Sequence, residues 1–292
     1  MTVHSRHNML TRLPVRLAMR RNPLRMGMDQ NLSQAISSMI KYKVSSVLIH
    51  DDQSDQDQGL LTKTDLMTLY YGQLPLDTPL QDVLVTPIAT CVQDDFLEVA
   101  LSRMLDQEVK RIYVLNGDDE KIIGVLSFAD IVGLLYRICS KCKKSLTRSW
   151  QNSHHAALLV RDVMHCDVVS CEGEQTIAQA LEILSMQSFS ALLVQDGQHP
   201  LPGVLSKSDL ILAYRHNVPL ENKITDISSY PVLSCARDEP LAQVLKRMMI
   251  ADVHRLFVHG SDPGQMQGVL SLTDAARARS GSCQACTASR LT

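Results

Sequence analysis

Four short segments of this 292-residue chain combine residue types that could bind a phosphorylated ligand. Each reads glycine, two apolar residues, Ser or Thr, two variable residues and Asp. A hydroxyl and N–H groups at a helix N-terminus suit a phosphate, a carboxylate one turn later can accept hydrogen bonds from sugar hydroxyls, and glycine would let a ligand approach the backbone closely. The candidate binding residues are Thr62 and Asp65, Ser127 and Asp130, Ser206 and Asp209, and Ser271 and Asp274.

The same hydroxyl and acid also fit a purely structural role. Ser or Thr followed three residues later by an acid forms a capping box, in which both side chains satisfy N–H groups at the start of a helix. A cap of this kind contributes about 1 kcal/mol and needs no ligand. The motif alone therefore leaves two interpretations open, a helix cap or a ligand site.

Cations precede the motif in the second and fourth copies, which we call the even repeats. Lys110-Arg111 and His254-Arg255 each stand at the predicted start of a strand. There they could neutralise a phosphate through charge-assisted hydrogen bonds, so a ligand is favoured in the even repeats. The first and third copies, the odd repeats, have Ser45-Ser46 and Ser190-Ala191 at this place, and Lys63 and Lys207 inside their motifs.

The four motifs belong to a longer repeat. The third and fourth copies follow the first and second at an offset of 144 residues, as from Asp65 to Asp209 and from Asp130 to Asp274. In each copy a short β-prone stretch precedes apolar residues at helical spacing, a buried-strand run, a polar turn, a strand that ends in the motif, and a second helix. This order predicts an α/β fold of four β-α-β-β-α repeats.

This order of elements, with the motif opening the last helix, resembles the CBS domain. Four copies resemble two tandem CBS pairs, or Bateman modules, in a layout similar to that of the gamma subunits of AMP-activated protein kinases. The resemblance implies that the two pairs form a pseudo-twofold disc and that nucleotides bind in clefts between repeats. It also implies that the motif Asp holds the ribose and that the flanking cations hold the phosphate.

The repeats predict the domain boundaries. We expect a basic N-terminal tail at 1–14, a first CBS pair at 15–138 and a second at 159–279. The individual repeats are expected at about 15–75, 80–138, 159–216 and 224–279. A basic linker at 139–158 and a C-terminal tail at 280–292 each carry a C-x-x-C pair.

The first hypothesis for function is a regulatory module. It would bind an adenosine nucleotide (AMP, ADP or ATP) and pass the signal to a protein partner or to self-association, such as a homodimer. The sequence has no Walker loop, G-x-G-x-x-G, H-E-x-x-H or nucleophile elbow, so we do not expect an enzyme. The alternative is a ligand-free interaction scaffold that holds zinc and contacts nucleic acid through its basic segments.

The zinc of that alternative would come from the two C-x-x-C pairs, Cys139 with Cys142 and Cys283 with Cys286. Two such pairs brought together can form a four-thiolate site, although here they lie far apart in the sequence. Inert thiols and redox dithiols are the other two interpretations. The spacing alone leaves all three open.

The composition is that of an ordinary globular protein. Hydrophobic residues make up 45%, charged residues 21%, and the net charge is −2, so nucleic acid is not the expected partner. Aromatic residues make up 4%, which leaves little for base stacking. No apolar run approaches the ~18 residues that cross a membrane. These features predict a cytoplasmic protein without membrane contact.

Overall fold

The computed structural model describes residues 9–118, 121–140, 158–186 and 189–278, which form eight α-helices and thirteen short strands. After the two-residue strand β1 (Arg20–Arg21), four copies of one element order follow. Repeat 1 consists of β2 (Arg25–Gly27), α1 (Leu32–Lys41), β3 (Ser46–Asp51), β4 (Gln56–Thr62) and α2 (Lys63–Tyr71). Repeat 2 consists of β5 (Thr90–Val92), α3 (Leu97–Asp106), β6 (Arg111–Leu115), β7 (Ile122–Ser127) and α4 (Phe128–Ser140).

The second half of the chain repeats this order, so the predicted β-α-β-β-α arrangement is confirmed. Repeat 3 consists of β8 (Ser170–Glu172), α5 (Ile177–Met186), β9 (Ala191–Gln195), β10 (Gly203–Ser206) and α6 (Lys207–Arg215). Repeat 4 consists of β11 (Ser234–Ala236), α7 (Leu241–Ile250), β12 (Arg255–His259), β13 (Met266–Ser271) and α8 (Leu272–Arg277).

Each repeat builds a small mixed sheet. Its first strand pairs in parallel with its second, because a helix connects them, and the second pairs antiparallel with the third across a turn. In repeat 2, β1 adds a fourth strand beside β7. The third strand runs directly into the last helix, so the motif lies where a strand ends and a helix begins.

The first helix of a repeat shows why these segments fold locally. In α1, Asn31 Oδ1 accepts a hydrogen bond from the backbone N–H of Gln34, and Gln34 Oε1 accepts one from that of Asn31, both at 3.0 Å. This reciprocal cap starts the helix. Its buried residues, Leu32, Ala35, Ile36 and Met39, follow helical spacing and form one apolar face.

The chain divides into two compact units, and each unit combines repeats of one parity. The even unit is drawn from Met1–Asn22, Ala89–Asp167 and Leu233–Thr292, and the odd unit from Pro23–Ile88 and Val168–Val232. We call repeats 2 and 4, and likewise repeats 1 and 3, sister repeats. Each compact unit thus contains two sister repeats and not two repeats that are adjacent in the sequence. The tandem-pair boundaries and the disc stay predictions.

Within each unit, helices of the two sister repeats pack against each other. In the even unit α4 lies against α7 and α8, and in the odd unit α2 lies against α5 and α6. A separate apolar core fills each unit. Among the described residues, no helix is long and apolar enough to cross a membrane.

Two tyrosines join the sister repeats of the odd unit. The rings of Tyr70 and Tyr214 stack with centroids 5.0 Å apart and an interplanar angle of 16°. Tyr70 Oη donates a hydrogen bond to the carbonyl of Val218, and Tyr214 Oη donates one to the carbonyl of Leu74, both at 2.6 Å. Each hydroxyl thus bonds a carbonyl of the other repeat, so two equivalent hydrogen bonds join the two helices.

Candidate functional site

The motif hydroxyl and acid form a helix cap in all four repeats. The hydroxyl donates to Oδ2 of the motif Asp at 2.5–2.7 Å, and the backbone N–H of the same Ser or Thr donates to that oxygen at 2.7–2.9 Å. The capping interpretation is therefore confirmed for Thr62, Ser127, Ser206 and Ser271. It uses one oxygen of each carboxylate and leaves the other to different partners.

In the even repeats a basic side chain lies on the second oxygen. Arg20 Nε is 3.1 Å from Asp130 Oδ1, and His165 Nε2 is 2.7 Å from Asp274 Oδ1. The carboxylates themselves are largely buried, with the side chains of Asp130 and Asp274 12% and 6% exposed, whereas those of Arg20 and His165 are more than half exposed. Each even motif thus combines a buried acid with an accessible basic side chain.

These two basic side chains come from what we call the lead-in segments, residues 15–20, 80–85, 160–165 and 224–229. Each begins with a 3-10 turn and packs on the other repeat of its tandem pair, beside the residue that follows the motif glycine. Its last residue takes the same position in all four cases. That residue is Arg20, Val85, His165 or Ser229.

Sequence reasoning missed Arg20 and His165, although a signal for them exists. Val15-Arg16 and Met19 recur as Val160-Arg161 and Met164, which extends the internal repeat upstream of the first strand. The hydrogen bonds recur as well, because the N–H of Val15 bonds the carbonyl of Asp95 and that of Val160 bonds the carbonyl of Glu239.

Three of the four motif glycines lie directly against a lead-in segment, so close packing explains them without a ligand. Their role toward a ligand stays a prediction. A Cβ on Gly268 would lie 2.5 Å from the carbonyl oxygen of His165, and one on Gly124 would lie 3.0 Å from that of Arg20. In the odd repeats, a Cβ on Gly59 would meet the carbonyl oxygen of Val85 at 3.0 Å. Because real Cβ atoms do not approach so closely, a side chain at these positions would displace the lead-in.

The predicted arginines open their strands beside the motif. Arg111 and Arg255 lie directly across from Ser127 and Ser271 in the antiparallel pairs, which puts opposing Cβ atoms about 4.5–5.5 Å apart. Burial lowers the pKa of the Arg111 guanidinium, and neighbouring Asp130 opposes the shift.

The same holds in the sister repeat, where burial lowers the pKa of Arg255 and Asp274 opposes the shift. Each arginine therefore lies within electrostatic reach of its own motif acid. Lys110 and His254, the other predicted cations, are exposed and stand one residue before the strands.

The odd repeats replace this chemistry with neutral residues and reciprocal contacts. Ser46 lies across from Thr62, and Ala191 across from Ser206. The motif lysines reach the other odd repeat, where Lys63 Nζ donates to Ser208 Oγ and Lys207 Nζ donates to Thr64 Oγ1, both at 2.8 Å. The lysines thus bridge sister helices instead of replacing the arginines of the even repeats.

The even clusters have the groups that a phosphorylated sugar needs. Each offers a partly buried arginine, an accessible basic side chain and a carboxylate oxygen at the start of a helix. Arginine can hold a phosphate through two parallel bonds, and the carboxylate can accept from hydroxyls. The odd clusters offer the carboxylate without the arginine.

The predicted zinc ligands lie outside the described residues, apart from the backbone of Cys139 within α4. In the described ranges, no group of three or more His, Cys, Asp or Glu side chains is placed to hold a metal ion. Cys91, Cys171 and Cys235 are buried there, and burial raises the pKa of each thiol to about 12. The zinc site stays a prediction.

Several proteins are similar to this chain. Protein MJ1225 of Methanocaldococcus jannaschii is 22% identical over 190 residues, covering 64% of this chain and 66% of that protein. Protein SDS24 of Saccharomyces cerevisiae is 21% identical over 270 residues, covering 78% of this chain and 51% of that protein. The 5′-AMP-activated protein kinase subunit gamma of the same yeast is 21% identical over 277 residues, covering 83% and 82%. This chain therefore spans about half of one relative and most of another.

Solved structures share the fold. The crystal structure of Methanocaldococcus jannaschii MJ1225 matches with a TM-score of 0.75 at 13% identity, over 90% of this chain and 98% of that one. An uncharacterized conserved protein from Pyrococcus horikoshii matches with a TM-score of 0.59 at 17% identity, over 91% and 100%.

A family model describes the repeats themselves. The CBS domain model matches residues 6–72, 80–137, 160–216 and 224–281. These four matches span most of the chain, and each coincides with one β-α-β-β-α repeat. The chain is therefore a member of the CBS-domain family with four repeats.

Proposed function

We propose that this chain is a regulatory module that binds an adenosine nucleotide, AMP, ADP or ATP, at the motif clusters of its two even repeats. The observation that carries the proposal is the arginine across from the N-cap serine, Arg111 beside Ser127 and Arg255 beside Ser271. The odd repeats have Ser46 and Ala191 at this position. The capping role explains the serine and the acid, but it gives no reason for the arginine.

Each group in the cluster has a part in binding. Arg111 and Arg255 hold the phosphate, and the Oδ1 atoms of Asp130 and Asp274 accept from ribose hydroxyls. Those oxygens now face Arg20 and His165, so the ribose takes the place of a basic side chain on the carboxylate. The displaced side chain is then available to hydrogen-bond the phosphate.

The relatives support both the ligand and the kind of output. One of them is named as the gamma subunit of a 5′-AMP-activated protein kinase, which makes AMP the first nucleotide to test and a protein partner the expected recipient of the signal. A nucleotide shifts the chain between two states only by the difference in its affinity for them. A difference of about 1–3 kcal/mol suffices for regulation.

Calorimetry with nucleotide-stripped full-length protein tests the proposal. We expect saturable heat with at least one of AMP, ADP and ATP. Arg111→Ser combined with Arg255→Ala gives the even repeats the residues of the odd ones, and should weaken binding by at least about tenfold, since a hydrogen bond to a charged group is worth about 1.5–3 kcal/mol. Neither arginine belongs to the cap, so circular dichroism should stay unchanged.

The matched control is Ser46→Ala in the odd unit, which should leave nucleotide affinity unchanged. The scaffold hypothesis is favoured by one observation, the caps that use the motif in all four repeats. Absence of heat with all three nucleotides would leave that hypothesis standing. Elemental analysis of untagged protein then tests its zinc site, expected at about one ion per chain when two C-x-x-C pairs join.

A further inference from the structure

A groove of about 730 Å³ runs through the even unit along α4, α7 and the lead-in at 15–20. Met19, Tyr136 and Met249 are among the residues that line it. Its volume lies in the range of binding sites in proteins, about 300–1,000 Å³. Arg20 and Asp130 also line the groove, and its other lining residues take no part in the proposed nucleotide cluster.

Two apolar side chains stand exposed at the rim of the groove. Leu17 is 51% and Ile250 is 75% exposed. The internal duplication gives each a sister position, 145 residues away in the lead-ins and 144 residues away in the helices. The sister of Leu17 is Asp162, and the sister of Ile250 is Asp106, both exposed acids. The chain thus places apolar residues in solvent on one side of the unit and carboxylates on the other.

The groove differs from its sister positions in shape and charge as well. Gly133 leaves its wall open, because a Cβ there would meet only Met249 Sδ, at 3.9 Å, whereas the sister of Gly133 is Arg277. Lys246 replaces the sister residue Ser102. Compared with their sister positions, the groove residues thus give a surface that is more apolar, more open and more positively charged. Each of these differences favours a ligand at the groove over the sister positions.

The charges of the groove select the kind of ligand. Arg20, Arg137 and Lys246 line it and are exposed, while its one acid, Asp130, is ion-paired with Arg20. An acidic occupant would meet complementary charge, and such complementarity directs association and specificity. The exposed rim residues Leu17 and Ile250 add apolar surface that an occupant extending past the groove would cover.

We propose that this groove binds an amphipathic helix with an acidic polar face, presented by a partner protein. A helix in a groove is anchored by apolar residues at every third or fourth position, and here they would contact Met249, Leu17 and Ile250. The acidic residues beside them would face Arg137 and Lys246. This inference goes beyond the proposed function and does not depend on nucleotide binding.

Fluorescence anisotropy with a labelled synthetic peptide tests the proposal on the full chain. The probe is an amphipathic helix of about 15 residues, with Leu at every third or fourth position and Glu between. We expect saturable binding that weakens as salt is added. Leu17→Asp and Ile250→Asp, which introduce the sister residues, should each weaken binding about tenfold through loss of an anchor, and Lys246→Glu should weaken it about fivefold.

Sister variants provide the matched controls. Asp162→Leu and Asp106→Ile change the same kind of residue on the other side, and should leave affinity for the peptide unchanged. A peptide with Lys in place of Glu should bind at least about tenfold more weakly. Nucleotide calorimetry on Lys246→Glu should match the wild type, which separates this proposal from the proposed function.

Three results would overturn the proposal. The first is equal binding of the Glu and Lys peptides, and the second is binding that none of the three groove variants changes. The third is a dimer, detected by light scattering, that Leu17→Asp and Lys246→Glu both dissociate, because the groove would then be a contact between copies of this chain. Lys246 is exposed, so its variant keeps the test valid even if an apolar variant fails to fold.

Discussion

The even and odd units have one architecture and two kinds of chemistry. All four repeats have the same helix cap, and a lead-in segment approaches the motif glycine closely in three of them, whereas Tyr230, directly after the lead-in, does so at Gly203. They differ at the residue across from the N-cap hydroxyl and at the last lead-in residue. The even unit has Arg111, Arg255, Arg20 and His165 at these positions, and the odd unit has Ser46, Ala191, Val85 and Ser229.

This difference distinguishes the residues with a structural role from those proposed to bind a ligand. The residues that make the motif recognisable, the glycine, the hydroxyl and the acid, have a structural role in every repeat. The candidate binding chemistry lies at positions that the four repeats do not share. The odd unit turns the same region into symmetric contacts between sister helices, such as the Tyr70–Tyr214 pair. A motif common to all repeats is therefore a poor guide to which of them bind a ligand.

The largest effect on stability is expected from Gly268→Ala in the even unit. The new Cβ would lie 2.5 Å from a backbone oxygen of His165, so the lead-in must move. Overpacking of this kind costs about 1–3 kcal/mol. Gly203→Ala in the odd unit meets the ring of Tyr230 instead, and a side chain can turn, so we expect a smaller loss. Urea unfolding midpoints measure both.

Gly197→Ala is the control for both glycine variants, because nothing lies within 4 Å of its Cβ. It should change stability by less than about 0.5 kcal/mol. If Gly268→Ala is as stable as Gly197→Ala, the lead-in does not need the glycine, and the shared scaffold role of the motif is wrong.

The second prediction concerns the contact that is special to the odd unit. Tyr70→Phe with Tyr214→Phe removes two buried hydrogen bonds to carbonyl oxygens, and each is worth about 1 kcal/mol. We expect amide hydrogen exchange to speed up in α2 and α6, while the even unit keeps its protection.

The adjacent Tyr71→Phe is the matched control for this pair. Tyr71 Oη bonds Glu182 on an exposed surface, where such bonds contribute little. Uniform loss of protection in both units would mean that the tyrosines do not stabilise the odd unit separately.

The helix caps should contribute equally to the free energy of unfolding in both units. Thr62→Ala in the odd unit and Ser127→Ala in the even unit each remove the N-cap hydroxyl of a capping box, which costs about 1 kcal/mol. Only Ser127→Ala should also weaken nucleotide binding in calorimetry. Equal loss of nucleotide affinity in Thr62→Ala would show that the odd repeats bind as well, and the contrast between the units would be lost.

Features that depend on local sequence could be predicted. The strand-to-helix position of the motif, the capping box, and Arg111 and Arg255 at the starts of their strands all follow from spacing within one repeat. The structure confirms these placements. The role of the arginines in binding stays a prediction, because placement alone does not identify a ligand.

Features that depend on packing between distant segments could not be predicted. Arg20 contacts Asp130 because its lead-in, which precedes repeat 1, packs on repeat 2. The spacing of residues within one repeat does not indicate this packing. The closeness of Gly268 to His165 has the same origin, so the spacing within a repeat does not indicate it either. Sister helices also pack by matching side chains across repeats, and hydrophobic periodicity gives the buried face of a helix but not its partner.

The smallest effect expected is a dependence on alkaline pH that the tyrosine pair adds to the odd unit. Burial raises the pKa of Tyr70 to about 12, with a further contribution from Glu221, and burial raises that of Tyr214 to about 12, from an ordinary value of 10.0. Because the folded pKa is the higher one, the stabilisation is complete below about pH 9, is partly lost by pH 10, where half of the unfolded tyrosines are ionised, and falls further toward pH 12.

Buried cysteines in both units add a similar loss that starts near pH 9, since their pKa rises from 9.0 to about 12. The tyrosine contribution is therefore isolated by comparing the wild type with Tyr70→Phe/Tyr214→Phe. Between pH 8.5 and 10 the wild type should lose a few tenths of a kcal/mol more than the variant, after allowance for solvent screening. Urea unfolding at the two pH values measures this, and equal losses would mean that the hydroxyls are as well hydrated in the folded unit as in the unfolded chain.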